Sequence, residues 1–193
     1  MAKRVFFSFH YQDVVDFRAN VVRNHWMTKP DREEAGYFDA SVWETARRQG
    51  EVALKRLING ALENTTNSCI LVGSETYSRP WVRYEIMKSF RRGNHLLAVH
   101  VNSVKGKDGR TKPLGLNPFE HVGVTYSDDG RTGTLWERSG DNWTKYERID
   151  GTADFSVQAG PEHRGKGFNL SNFYRIYDWV ANDGYNNFAG WLK

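Results

Sequence analysis

The first two-thirds of the chain alternates short apolar runs with stretches of helical spacing, and this restricts it to an α/β architecture. Val5 to Phe9 is an apolar run bounded by polar residues and reads as a buried strand. A helix follows, with Asp13 near its cap and Val14, Phe17, Val21 and Val22 on one face. Tyr37-Phe38-Asp39 reads as a second, weak strand. Leu54, Leu57, Ile58 and Ala61 form the apolar stripe of another helix, ending near Asn64-Thr65-Thr66-Asn67. Cys69 to Val72 is a third strand, followed by Gly73-Ser74 and a helix beginning around Ser78. Val82, Ile86 and Phe90 are its buried positions, and Gly93 is its C-terminal stop. His95 to Val101 is the fourth strand. This β-α-β-α-β-α-β order predicts a parallel, doubly wound sheet.

The last third changes character. Val122 to Tyr126, Thr134 to Arg138 and Trp143 to Glu147 alternate in polarity and are separated by Ser127-Asp128-Asp129-Gly130 and Ser139-Gly140-Asp141-Asn142. Those are turn sequences, so the segment reads as an antiparallel meander. Lys105 to Asn117 reads as an exposed loop. Ser171 is expected to start a helix with Phe173, Ile176, Tyr177 and Val180 inward. Asn182-Asp183-Gly184 breaks it, and Tyr185, Phe188 and Trp191 anchor a final short helix. No repeat or long linker divides the chain, so residues 1–193 read as one domain with a meander insertion at about 103–150.

No run approaches 18 apolar residues, and the N-terminus lacks the apolar stretch and cleavage site of a signal peptide. The single cysteine, Cys69, lies in a predicted core strand, which agrees with a reducing cytoplasm and with a role as a small buried hydrophobe. The net charge of +4 favours an anionic ligand such as a nucleotide. The basic residues are scattered in short clusters that read as solvated surface, not as a nucleic-acid groove.

Several chemistries are excluded. There is no G-x-G-x-x-G after the first strand and no G-x-x-x-x-G-K-[ST]. The six histidines show no metal-ligand spacing, so neither a metal nor a bound cofactor is expected. A phosphoacceptor receiver needs an aspartate at the end of strand three, where this chain has Gly73-Ser74. What remains is a site at the sheet's edge. With strand order 2-1-3-4-5, a crevice opens between strands one and three. Phe9, His10 and Tyr11, Ser74, and the helix carrying Trp81 and Glu85 would line it. Trp81 and Glu85 are four apart and share a helix face. An aromatic ring can stack on a base or nicotinamide, and a carboxylate can bind ribose hydroxyls. Residue physics alone favours a plainer reading of Glu85, as a surface glutamate paired with Lys88 or Arg83. It leaves Trp81 divided between core and ligand. His10 reads as a satisfied strand-end histidine.

The pattern Ser78-x-x-Trp81-Val82-x-x-Glu85-Ile86 resembles the S-x-x-W-C-x-x-E-L signature of TIR domains, and Val5-Phe6-Phe7-Ser8-Phe9 resembles their opening strand. Val82 stands where cysteine is usual, and the meander is long. Over its whole length the chain is similar to the bacterial TIR-like proteins of Thoeris antiphage defence, the ThsB group. Matching stretches include residues 1–13, Phe38-Asp39-Ala40-Ser41, Leu57-Ile58-Asn59-Gly60, residues 81–89 and residues 174–185.

That resemblance implies a flavodoxin-like TIR fold and an activity on NAD as substrate. The nicotinamide–ribose bond would be cleaved and the ADP-ribosyl remainder cyclised into a signal for a separate NAD-depleting effector. A phage-derived trigger and self-association are compatible with it. The glutamate at the Glu85 position is the family's catalytic residue. A plain NAD glycohydrolase releasing linear ADP-ribose, or a non-enzymatic TIR interaction module, are the competing readings.

Overall fold

The computed structural model describes residues 3–30, 32–36, 38 and 40–193. Its centre is a five-stranded, wholly parallel sheet of β1 (Lys3–Phe9), β2 (Arg32–Ala35), β3 (Asn67–Val72), β4 (His95–His100) and β10 (Ile176–Asp178), in the order β2-β1-β3-β4-β10. The order expected for the first four strands is found. The fifth place is taken by a strand from the far end of the chain.

The pleat sends alternate residues of β1 to opposite faces. Val5 and Phe7 join a cluster with Ala19, Val22 and Trp26 of α2 (Arg18–Met27) and Phe188 of α6 (Gly184–Trp191). Phe6 joins the opposite cluster with Ile58 and Leu62 of α4 (Glu51–Leu62) and Val82, Ile86 and Met87 of α5 (Pro80–Arg91). β3 is buried along its whole length, as a central parallel strand must be, and Cys69 lies within it as a free, buried thiol.

A second, antiparallel sheet is built from β5 (Val122–Tyr126), β6 (Thr132–Ser139), β7 (Asn142–Lys145), β8 (Asp154–Ser156) and β9 (Gly167–Asn169). The predicted meander is its β5-β6-β7 part, and the sheet continues past residue 150 through β8 and β9. Val122, Val124, Leu135, Tyr146 and Ile149 belong to the same buried cluster as Phe6 and Ile86. The two sheets therefore share one core.

Three local expectations are corrected. The predicted first helix is two: α1 (Tyr11–Val15) and α2, separated at Phe17, which is left-handed at φ 67° and half exposed. The side chain of Val14 lies outside the described residues. The second strand is Arg32–Ala35, displaced from Tyr37-Phe38-Asp39; Tyr37 and Asp39 lie outside the described residues, and Phe38 is in no regular element. Being at the sheet edge, β2 can carry charge. Arg23 grips Glu34 with two hydrogen bonds of 2.5 and 2.6 Å, and Trp26 Nε1 donates to the Glu33 carbonyl.

The segment from Ser171 forms no α-helix. A short 3-10 turn at Leu170–Asn172 leads into β10, where Ile176 pairs with Ala98 and Tyr177 with Val99, and Val180 is exposed. The unpaired edge of β4 offers this segment a hydrogen-bonded ladder, and that outweighs the helical spacing of its apolar residues. One C-terminal helix, α6, remains where two were expected.

Candidate active site

β1 ends in Ser8 and Phe9, and the chain turns through His10 into α1. Ser8 lies on the same face of β1 as Phe6, so its side chain points toward α5. There Ser8 Oγ donates a 2.5 Å hydrogen bond to Glu85 Oε2. Ser8 is 1% exposed and Glu85 5% exposed. Burial pushes the Glu85 carboxyl up to about 8, with the Ser8 hydrogen bond partly opposing the rise. The surface-glutamate reading is thus corrected. Lys88 turns to Asp150, and Arg83 donates to Glu137 at 3.1 Å and to the Arg138 carbonyl at 2.9 Å.

Glu85 lies at a cleft of about 540 Å³, beyond the carboxyl ends of β1 and β2. Phe9, His10 and Tyr11 line it from β1. Gly36 and Phe38 line it after β2. Trp43, Glu44 and Arg47 come from α3 (Ala40–Gln49), and Arg79, Pro80, Trp81, Val82 and Glu85 from the start of α5. Gly36 has φ 81°, and a Cβ there would strike the Phe7 carbonyl and the Phe6 ring. Only glycine lets the β2–α3 connection pass this close to β1.

Trp81 is clamped as well as exposed to the cleft. Trp43 meets it edge-on at 6.4 Å, Tyr84 at 5.7 Å, and the Arg148 guanidinium lies 4.7 Å from its ring centroid. Arg148 follows β7 and also reaches Glu51 and the Pro80 carbonyl. The antiparallel sheet thereby fixes the cleft wall through a cation–π contact. Burial, and then the Arg79 charge, hold the His10 imidazole below its ordinary pKa.

Five of the six expected site residues, Phe9, His10, Tyr11, Trp81 and Glu85, border the cleft. Ser74 does not line it. The segment after β4 packs on the end of β3, with Gly115 against the Gly73 carbonyl and the Ser74 backbone. Arg18, 1% exposed, holds that segment down by donating to the carbonyls of Val104 (3.0 Å) and Arg110 (2.7 Å). Lys112 pairs with Asp16. The expected exposed loop is thus anchored, although Leu114 and Leu116 face solvent. The crevice opens on the β2 side of β1 instead of the β3 side.

Sequence reasoning missed Ser8, Trp43, Arg47 and Arg79. Ser8 carried a signal, as the one hydroxyl in the run Val5 to Phe9 at two-residue spacing from Phe6. Among the described residues, no group of three or more His, Cys, Asp or Glu could hold a metal, and no helix is long and apolar enough to cross a membrane.

The family described as "Thoeris protein ThsB, TIR-like domain" matches residues 6–106, which run from Phe6 within β1 through β4 and include every residue lining the cleft. The chain belongs to this family. It is also 55% identical, over the full length of both chains, to a Bacillus cereus (strain MSX-D12) protein named "Putative cyclic ADP-D-ribose synthase ThsB1". The match to this ThsB relative extends through the antiparallel sheet, so Arg148 and its contact with Trp81 lie inside the aligned length.

Proposed function

We propose that this ThsB-family chain cleaves the nicotinamide–ribose bond of NAD and closes the ADP-ribosyl remainder into a cyclic ADP-ribose-type signal for a separate effector. The observation that carries the reading is Glu85, a carboxyl buried at an aromatic-walled cleft and hydrogen-bonded to Ser8. The activity in the relative's name supports it.

The chemistry asks little of the protein beyond charge and position. Nicotinamide leaves a cationic pyridinium as a neutral molecule, so no general acid is needed, and a single carboxylate suffices. Ionised Glu85 stabilises the oxocarbenium-like state and orients the ribose hydroxyls. Burial makes the free carboxyl hard to ionise, and the positive charge of bound NAD draws the proton off. The carboxylate then forms beside the charge it is to stabilise. Cyclisation requires a hydroxyl of the adenosine half to reach the anomeric carbon before water does. The aromatic walls of Phe38, Trp43 and Trp81 favour the folded-back dinucleotide by stacking.

The test is a pH profile coupled to product analysis. In the free protein Glu85 holds its proton below about pH 8. The active form is ionised, and kcat/KM reports the free enzyme. With NAD, kcat/KM is therefore expected to rise from pH 6 and level above about pH 8. Mass spectrometry of the same reactions should give ADP-ribose less one water. A flat profile contradicts the role of Glu85. Linear ADP-ribose alone means a glycohydrolase, and no turnover, including in infected-cell extract, means an interaction module.

A further inference from the structure

The cleft has a second chemical feature, at Arg79. This residue immediately precedes α5 and lines the cleft beside Pro80 and Trp81. Its Nη2 lies 3.6 Å from Glu75, an exposed partner, but its Nε is buried and has no hydrogen-bond partner among the described residues. An N–H left without an acceptor is costly, and the Arg79 side chain, 40% exposed overall, can turn it toward an acceptor that a ligand supplies.

The cleft offers that N–H no free anion of its own. Glu44 is engaged by Arg47 at 3.4 Å. Glu85 accepts from Ser8, and its burial opposes ionisation. The first turn of α5 has no side-chain cap, so its free N–H groups add positive potential on the same side.

We propose that Arg79 is the diphosphate-binding residue of the cleft, its Nε–H and terminal N–H donating as a fork to the phosphate oxygens of a nucleoside diphosphate ester. Arginine suits this task because its planar donors match two oxygens at once. The spacing fits the NAD reading, on which this inference rests. Arg79 and Glu85 are six residues apart, about 9 Å along the helix axis, the scale of a ribose and its 5′ ester. Gripping the diphosphate at Arg79 would set the nicotinamide ribose against Glu85.

The test uses ADP as probe, so that binding is read without turnover. Wild type, Arg79→Ala and Arg79→Lys are titrated calorimetrically with ADP and with adenosine, and KM and kcat for NAD are measured alongside. Arg79→Ala is expected to weaken ADP binding about tenfold or more, the usual consequence of losing a charged hydrogen bond. Arg79→Lys should fall between, since it keeps the charge and loses the fork. Adenosine binding should be the same in all three, and KM for NAD should rise by more than kcat falls.

Arg79 is partly exposed, so the variants should melt like wild type. If the alanine variant does not, Arg79→Lys carries the comparison. Equal ADP affinity in wild type and variants, or no ADP binding by wild type, overturns the proposal. ADP binding that depends on Arg79 in a protein that leaves NAD intact upholds the subsite and rejects the NAD reading.

Discussion

Glu85→Gln is expected to lower NAD turnover by about a hundredfold or more, the usual loss when one preorganised electrostatic group is removed. Glutamine keeps the size of the side chain and can still accept from Ser8, so the variant should fold. Its stability should depart from wild type in a definite direction. Folding raises the Glu85 pKa from 4.5 to about 8. Between those values the folded chain holds a proton that the unfolded chain has released. The stabilisation is complete below about pH 4.5 and is lost as pH rises through 8. The Gln variant has no such loss, so above pH 8 it should gain on wild type, by an amount on the order of a few kcal/mol. Melting curves at pH 5 and pH 9, with turnover measured on the same samples, check both halves. A folded Gln variant of normal activity would remove Glu85 from the chemistry.

Trp81→Ala should affect rate and product together. Its ring is part-buried and joins the core edge through Tyr84, so the stability loss should be about 2 kcal/mol, below the 3–5 kcal/mol of a fully buried tryptophan. Removing it widens the cleft beside Glu85 and leaves Arg148 without its ring partner. Turnover is expected to fall roughly tenfold or more through mispositioning. The product should shift from cyclic toward linear ADP-ribose, because water then competes with the internal hydroxyl. A melting curve and a product ratio decide the matter. A stable variant with unchanged rate and ratio would exclude Trp81 from the site.

The elements legible in the sequence were those that bury a continuous or periodic apolar face. β1, β3, β4, α4 and α5 stand close to where the pattern put them, since each packs a central layer. β2 and β10 were misread because they are the two edges of the parallel sheet. An edge strand is defined by its partner's free hydrogen bonds, which leave little trace in its own residues. β2 reads Arg-Glu-Glu-Ala, and β10 sits inside a stretch of helical spacing.

The site followed the same division. Residues on correctly read elements, such as Phe9, Trp81 and Glu85, border the cleft as expected. Trp43 and Arg47 lie on α3, a helix left unread, and were missed. Ser74 was misplaced because the packing of Gly115 on the end of β3 is a contact between residues 42 apart in sequence. No local pattern encodes it.

If this cleft turns NAD into a cyclic product through Glu85, that product should accumulate in cells. The most direct measurement is the mass of the nucleotide that accumulates in phage-infected cells expressing the protein, compared with cells expressing Glu85→Gln. A species with the composition of ADP-ribose less one water is expected in the first culture and not in the second. Its absence from the wild-type culture would exclude the cyclase activity, and equal amounts in both would exclude Glu85 from the chemistry.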